Sequence, residues 1–186
     1  MNRPAGAAVA SDATNPAPPP AAGPLRRLLA YRWLFLLAGL VLVADQLTKA
    51  WISARLPVDD FGNPAGSVPV VAGFFYLVHR ENTGAAWSLF TGRSVLLSLL
   101  AAGTLVAIFF GRRALGLRES APQVAFGLLC GGILGNLVDR ILHGHVIDFL
   151  DFHFGSYVYP TFNVADSGIC VGVAIYLLHS LRQPPG

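Results

Sequence analysis

The sequence predicts an α-helical membrane protein with four transmembrane helices. Hydrophobic residues make up 54% of the 186 residues and charged residues only 12%, about half the share that is usual in a soluble domain. Four apolar segments lie at about 33–51, 94–110, 121–142 and 165–181. Each approaches the roughly 20 residues that a helix needs to cross the hydrocarbon, and none has the alternation of a membrane β-barrel.

The segments outside the spans predict tails, short strands and an interfacial helix. Residues 1–24 are rich in Ala and Pro and predict a disordered cytoplasmic tail. Residues 25–182 are expected to form one integral membrane domain, followed by a C-terminal tail at 183–186. Between the first two spans, β-branched and aromatic residues at 68–78 predict one or two strands. Residues 85–90 are expected to form a short helix at the interface.

Arginine placement predicts the orientation in the membrane. Arg26, Arg27 and Arg32 directly precede the first span, three arginines lie between the second and third, and one follows the fourth, whereas residues 143–164 contain no Lys or Arg. The positive-inside rule therefore places both termini in the cytoplasm. Arg55, Arg80 and Arg93 fall on the other side, so the bias is not absolute. The net charge of +3 is too small and too scattered to indicate nucleic-acid binding.

Ionisable residues in and beside the spans converge toward the outer membrane face in this topology. They are Asp45, Lys49, Asp139, Arg140, Asp148, Asp151 and Asp166. Asp45 and Lys49 lie four residues apart and are expected to pair on one helix face, with Lys49 near enough to the helix end to snorkel. Asp139 and Arg140 have two open interpretations, a structural network with Asn136 or a direct catalytic role.

Asp148 and Asp166 are candidates for acid–base chemistry, because neither has a Lys or Arg within three positions. Two carboxyl groups that face each other in a partly dry site share a proton, since both cannot ionise cheaply. One can then activate water while its protonated partner donates to a substrate carbonyl. Their spacing alone leaves a proton relay and helix capping open as alternatives.

Two other chemistries have weaker support. The loop before the fourth span carries residues of metal-ligand type, which are His143, His145, Asp148, Asp151 and His153. It lacks a His-Glu-x-x-His motif, so polar loop residues at the membrane surface are the simpler interpretation. A Ser–Lys peptidase would have to use Lys49, the only lysine, and no serine lies in a nucleophile motif. No metal and no cofactor are expected.

Five short motifs give the chain a resemblance to a known family. They are Asp45-Gln46-Leu47-Thr48-Lys49, Asn82-Thr83-Gly84-Ala85-Ala86-Trp87-Ser88, Gly135-Asn136-Leu137-Val138-Asp139-Arg140, Val146-Ile147-Asp148-Phe149 and Phe162-Asn163-Val164-Ala165-Asp166-Ser167. In this order, over about residues 33–181, the chain resembles lipoprotein signal peptidase, also called signal peptidase II. Trp87 stands where the family pattern leads us to expect Phe, and the Pro-rich tail has no counterpart.

The resemblance implies an aspartic endopeptidase of the bacterial inner membrane, with no cofactor. Its substrate is a diacylglyceryl-modified prolipoprotein in the membrane lipid, cut before the lipidated cysteine near the outer face. The implied fold adds a small extracytoplasmic β-sheet and an interfacial helix to the four helices, and a monomer is expected. The catalytic pair carries over to Asp148 and Asp166, with Asp139 as a rival. Supporting or substrate-binding positions are Asp45, Lys49, Asn82, Gly84, Asn136, Asp139, Arg140 and Asn163.

Two non-enzymatic interpretations and one conformational expectation remain open. A proton-coupled transporter would spread its acidic residues through the membrane depth, and a scaffold protein would tolerate Asn at both Asp148 and Asp166. Residues 76–90 are expected to cover the site as a lid, with Gly84 as its flexible point.

Overall fold

The computed structural model describes residues 29–59, 66–85 and 89–182. The four predicted spans are helices whose bounds differ from the predicted ones by a few residues. They are α1 (Arg32–Arg55), α2 (Ser94–Gly111), α3 (Ser120–His143) and α4 (Val164–Arg182). Each is long and apolar enough to cross a membrane, which confirms the predicted class of fold. The tails predicted at 1–24 and 183–186 lie outside the described residues.

Helix α3 is the centre of the bundle and packs against the other three helices. Glycines lie where its neighbours approach most closely. A Cβ atom at Gly131 would lie 2.7 Å from the carbonyl oxygen of Ala38 in α1, and one at Gly132 would overlap the carbonyl oxygen of Ala165 in α4. Lipid tails are as apolar as Leu, so close packing of small residues is what holds membrane helices together.

The strands form one antiparallel sheet in the order β1-β2-β3-β4. They are β1 (Val68–Val71), β2 (Phe75–Asn82), β3 (Val146–Phe154) and β4 (Tyr157–Val158). The first two confirm the strands predicted at 68–78. The other two were missed, because residues 143–164 were interpreted as a connection despite their β-branched and aromatic residues. Of the helix predicted at 85–90, residues 86–88 lie outside the described part.

The sheet lies at one end of the helix bundle, since α1 and α3 lead into it and α2 and α4 follow it. Gly144 ends α3 in the left-handed conformation, with φ of 82°, and donates its N–H to the carbonyl of Arg140 at 3.1 Å. Strand β3 begins two residues later. This tight turn brings Asp148 back toward the end of α3 that carries Asp139.

Apolar contacts attach the sheet to the helices. Ile52 near the end of α1 packs with Ile147 and Phe149 of β3, and all three side chains are buried. Strand β3 is therefore held against α1 as well as hydrogen-bonded to β2. This packing fixes the position of Asp148, which lies in β3 between the buried residues Ile147 and Phe149.

Candidate active site

Asp166 lies in the first turn of α4, where Asn163 caps the helix. The Asn163 side-chain Oδ1 accepts the backbone N–H of Asp166 at 2.9 Å, and Asp166 Oδ2 accepts the backbone N–H of Asn163 at 3.3 Å. These reciprocal bonds form a capping box in which Asn and Asp replace the usual Ser and Glu. The local sequence Asn-Val-Ala-Asp therefore fixes the direction of the Asp166 carboxyl group.

Asp148 reaches the same place from β3. Its side-chain Oδ1 accepts Asn163 Nδ2 at 2.8 Å, and its Oδ2 accepts Asn82 Nδ2 at 2.9 Å. Burial, and then the negative charge of Asp166, raise the pKa of Asp148 to about 7, while the hydrogen bonds from the two asparagines oppose that shift. A carboxyl group with such a pKa can both give and take a proton near neutral pH.

Three asparagines donate hydrogen bonds to the two carboxyl groups. The fully buried Asn163 donates to both of them, and Asn82 donates to Asp148. Asn136 of α3 donates its Nδ2 to Asp166 Oδ1 at 2.7 Å. Every oxygen of Asp148 and Asp166 therefore accepts a hydrogen bond from an amide. The structure brings the predicted pair together with three of the predicted supporting residues.

Lys49 lies in the interior of the bundle and does not snorkel. It is 2% exposed, and its Nζ contacts Asp45 Oδ2 at 2.8 Å, Asp139 Oδ2 at 2.7 Å and Asn136 Oδ1 at 3.0 Å. The predicted pairing with Asp45 is present, but the expectation that Lys49 snorkels is wrong. Three acceptors on α1 and α3 match the three N–H donors of the ammonium, so it needs no water.

Asp45 and Asp139 connect this cation to the rest of the site. Asp45 Oδ1 accepts the backbone N–H of Ala165 at 2.9 Å and so helps to cap α4. Asp139 accepts Gln46 Nε2 at 2.8 Å and the backbone N–H of Ile147 at 3.3 Å. These contacts favour the structural interpretation of Asp139. The role of Gln46 was missed, although a polar side chain beside Asp45 in an apolar span was the available signal.

Arg140 connects α3 to the chain that follows β2. Its Nη2 donates to the carbonyl of Gly84 at 3.0 Å and its Nη1 to the carbonyl of Asn136 at 3.5 Å, while its buried Nε has no partner among the described residues. The predicted network of Arg140 with Asn136 is thus a backbone contact. The positive charge of the guanidinium also attracts Asp166 and Asp148.

Gly84 is required for close packing. A Cβ atom there would lie 2.7 Å from the carbonyl oxygen of Leu89, and the Gly84 N–H donates to Asn82 Oδ1 at 2.9 Å. Residues 76–82 belong to β2 and pair with β3, so the lid expected over 76–90 is wrong for that half. For residues 83–90 the lid stays a prediction, and residues 86–88 lie outside the described part of the chain.

The loop histidines make contacts outside the carboxyl pair. His153 Nε2 lies 2.7 Å from Asp151 Oδ2, and Asp151 Oδ1 also accepts from Arg80 at 3.1 Å and from Thr161 at 2.9 Å. His145 lies 3.6 Å from a carboxylate of Glu81. Within the described ranges, no three His, Cys, Asp or Glu side chains are grouped so that they could hold a metal ion.

The fold and site define a multi-pass membrane protein with a buried carboxyl pair, and comparison with known proteins identifies its family. The model of the signal peptidase (SPase) II family matches residues 37–182. The lipoprotein signal peptidase of Syntrophotalea carbinolica is 40% identical over 162 residues, which are 84% of this chain and 96% of that protein. That of Bacillus pumilus is 35% identical over 147 residues, 79% of this chain and 91% of that protein.

A solved structure of a bacterial membrane enzyme has the same fold. It superposes with a TM-score of 0.72 at 30% sequence identity and covers 82% of this chain and 93% of its own. A second bacterial membrane enzyme gives a TM-score of 0.66 at 31% identity. The chain therefore belongs to the signal peptidase II family of aspartic peptidases, as the five motifs predicted.

Proposed function

We propose that this enzyme removes the signal peptide of diacylglyceryl-modified prolipoproteins by cutting before the lipidated cysteine, with Asp148 and Asp166 as the catalytic pair. Its relatives carry the name lipoprotein signal peptidase, and the family supports signal-peptide removal as the general activity. The observation that carries the aspartate pair is the position of Asn163, which donates its side-chain Nδ2 to the Asp148 carboxyl group and its backbone N–H to the Asp166 carboxyl group.

The pair supports hydrolysis by general acid–base catalysis. One carboxylate takes a proton from water as the water oxygen bonds to the scissile carbonyl carbon. The protonated partner gives its proton to the carbonyl oxygen, which leaves a neutral tetrahedral diol. Collapse breaks the C–N bond as a proton moves to the leaving nitrogen. A pKa of about 7 for Asp148 suits a group that gains and loses a proton in each cycle.

The charge distribution supports a site at the outer face of the inner membrane. The sheet and the carboxyl pair lie at one end of the bundle, whereas Arg112, Arg113 and Arg118 lie between α2 and α3 at the other. Positively charged connections favour the cytoplasm. A lipid-anchored substrate would then reach the pair from the outer leaflet, where water is also available.

The grouping of the acids argues against a transporter. Asp45, Asp139, Asp148 and Asp166 belong to a single hydrogen-bonded network at the sheet end. A proton path would need ionisable groups distributed through the membrane depth. All the residues of the pair and its donors come from one chain, so a monomer is sufficient for the proposed reaction.

Cleavage of a diacylglyceryl prolipoprotein by the purified enzyme in detergent with a chelator tests this proposal. Asp148→Asn and Asp166→Asn are expected to remain folded and to lose at least about 100-fold in rate, because each removes a proton-transfer group. Glu119→Gln, which changes an exposed acid at the far end of α3, is the matched control and should cut like wild type. Activity of Asp148→Asn together with inactivity of Asp139→Asn would show that the wrong pair was chosen.

A further inference from the structure

Lys49 determines which way the amide of Asn136 points. The Asn136 Oδ1 accepts Lys49 Nζ at 3.0 Å and Asn163 Nδ2 at 3.2 Å, so its Nδ2 must face the other side, where it donates to Asp166. A flipped amide would set its NH2 group against an ammonium that has only donors, and its carbonyl against a carboxylate. The flipped state is therefore excluded for as long as Lys49 is present.

Among the described residues, no single amide joins Asp148 to a buried cation. Its two donors are Asn82 and Asn163, whose own Oδ1 atoms accept the backbone N–H groups of Gly84 and Asp166. Those partners are neutral. Of the two carboxyl groups, Asp166 is the one that a single amide joins to a buried positive charge in the part of the chain that the structure describes. An amide that is polarised in this way is a stronger donor to a negative charge. Asp166 also lies in the first turn of a helix, which favours an anion.

From this asymmetry we propose that Lys49 is a positioning residue that acts through Asn136 to keep Asp166 ionised in the resting enzyme, so that the shared proton resides on Asp148. The catalytic roles that this assigns to Asp148 and Asp166 rest on the proposed function. Asp166 then takes the proton of the attacking water, and Asp148 donates to the scissile carbonyl oxygen. On collapse, Asp166 gives its proton to the leaving nitrogen and Asp148 recovers one from the diol.

The surrounding charges are consistent with a single negative charge on the pair. The charged groups that face Asp166 from the elements packed against it are Asp45 and Lys49 of α1, Asp139 and Arg140 of α3, and Asp148 of β3. The two acids and two bases on the helices cancel. The negative charge of Asp166 adds to burial in raising the pKa of Asp148, which also favours the proton on Asp148.

A charge-matched pair of variants tests the role of Lys49. Lys49→Met alone would leave Asp45 and Asp139 buried without their cation, a change that is strongly destabilising. Asp45→Ala/Lys49→Met keeps the formal charge of the cluster and removes the bond to Asn136. Asp45→Ala alone keeps that bond and sets no donor against the Lys49 ammonium, so it is the matched control.

The readout is the pH dependence of prolipoprotein cleavage by the full-length enzyme. In the double variant the acid limb is expected to move up by about one pH unit, with the alkaline limb unchanged. In the control, which removes only an acid that faces Asp166, the acid limb should stay in place or move down, and should not move up. Asn82→Ala removes a donor from Asp148 and should move only the alkaline limb upward. An acid limb that stays in place in the double variant, or that moves in Asn82→Ala, would overturn the assignment.

Infrared spectroscopy locates the proton without turnover. The C=O stretch of a protonated carboxyl group is expected near pH 6 in the wild-type enzyme in detergent, and it should be lost in Asp148→Asn. Asp166→Asn should keep the band but lose it at a lower pH than wild type, because the charge of Asp166 no longer helps to raise the pKa of Asp148. A band that is lost in Asp166→Asn and kept in Asp148→Asn would contradict the proposal. Failure of wild type to cleave a prolipoprotein would refute the proposed function, while this measurement would still decide where the proton resides.

Discussion

At the scale of single residues, Asn163 combines two tasks that are usually performed by separate side chains. Its carbonyl oxygen caps α4 and so directs Asp166, and its amide group donates to Asp148 and to the Ile147 carbonyl. A helix cap contributes about 1 kcal/mol to stability, whereas a donor to a buried carboxyl group acts on its protonation. The two tasks can therefore be separated by substitution.

Asn163→Ser is expected to preserve the cap and remove the donor to Asp148, because a serine hydroxyl accepts a helix N–H but does not reach the strand. Its melting temperature in detergent should exceed that of Asn163→Ala, while both variants lose at least about 10-fold in cleavage rate through the missing charge-stabilising donor. Thermal unfolding and initial cleavage rates measure the two effects. Equal melting temperatures would show that the cap contributes nothing.

The raised pKa of Asp148 predicts how the stability of the protein depends on pH. Its folded pKa is about 7 and its ordinary value 3.8, so the folded protein binds this proton more tightly than the unfolded chain. The stabilisation is fully present below the ordinary value and is lost as the pH rises through 7. The wild-type protein should therefore lose melting temperature between pH 5 and pH 8.

Asp148→Asn tests this origin, since an amide does not titrate. The difference in melting temperature between wild type and Asp148→Asn is expected to shrink or change sign from pH 5 to pH 8, in favour of the variant at the higher pH. Gly103→Ala serves as the control, because it changes no titratable group and nothing lies within 4 Å of a Cβ there, so it should leave the pH dependence unchanged. A difference that is constant with pH would mean that another group dominates.

At the scale of elements, the site depends on how closely α3 approaches α4. Gly132 faces the backbone of Ala165, the residue before Asp166. The distance between these helices decides whether Asn136 of α3 can hydrogen-bond to Asp166 of α4. In this structure Asn136 Nδ2 lies 2.7 Å from Asp166 Oδ1. On the sheet side, the Asp151 contacts to Arg80 and Thr161 hold the chain two residues before Asn163. Helix packing and strand pairing thus both determine the geometry of the carboxyl pair.

Gly132→Ala is expected to separate α3 from α4, since its Cβ would overlap a backbone oxygen that cannot move independently. We expect a destabilisation of roughly 1–3 kcal/mol from overpacking and a loss of most cleavage activity. Gly103→Ala in α2 is the matched control, because nothing lies within 4 Å of a Cβ there, and it should be neutral or slightly stabilising. Wild-type activity in Gly132→Ala would show that the close approach is not needed.

At the scale of the whole molecule, four apolar helices carry a polar interior at one end. Large apolar side chains on the outer surfaces of the helices remain exposed, among them Leu40, Leu99 and Leu181, as is suitable for contact with lipid. Apart from Gln123 near the start of α3, the buried polar residues lie near the sheet, and the connection between α2 and α3 lies at the opposite end. This polarity makes the orientation in the membrane testable.

Ser156→Cys and Arg113→Cys place a thiol at opposite ends of the bundle, in the turn before β4 and in the α2–α3 connection. In intact cells a membrane-impermeant thiol reagent should label Ser156→Cys, whereas Arg113→Cys should react only after permeabilisation, because the arginine-rich connection is expected in the cytoplasm. Wild-type protein, which contains Cys130 and Cys170, is the background control. The reverse labelling pattern would place the candidate site in the cytoplasm.

The sequence by itself determined the four spans and the family. Apolar length and composition are sufficient to predict the spans, because a segment in lipid must satisfy its backbone hydrogen bonds internally, as a helix does. Five ordered motifs are sufficient for the family. Asn163 and Asp166 were also locally predictable as a helix start, since a capping box needs residues only three positions apart.

Only the tertiary structure decided how these residues are connected. Lys49 and Asn136 are 87 positions apart, and Asp45 and Ala165 are 120 apart, so no local pattern reveals either bond. The sequence predicted that Lys49 would extend its ammonium group to water, because α1 considered alone offers it one acceptor, Asp45, four residues away. Packing of α3 against α1 added Asp139 and Asn136. A buried charge is stable only where all its partners meet, and that depends on the distances between elements.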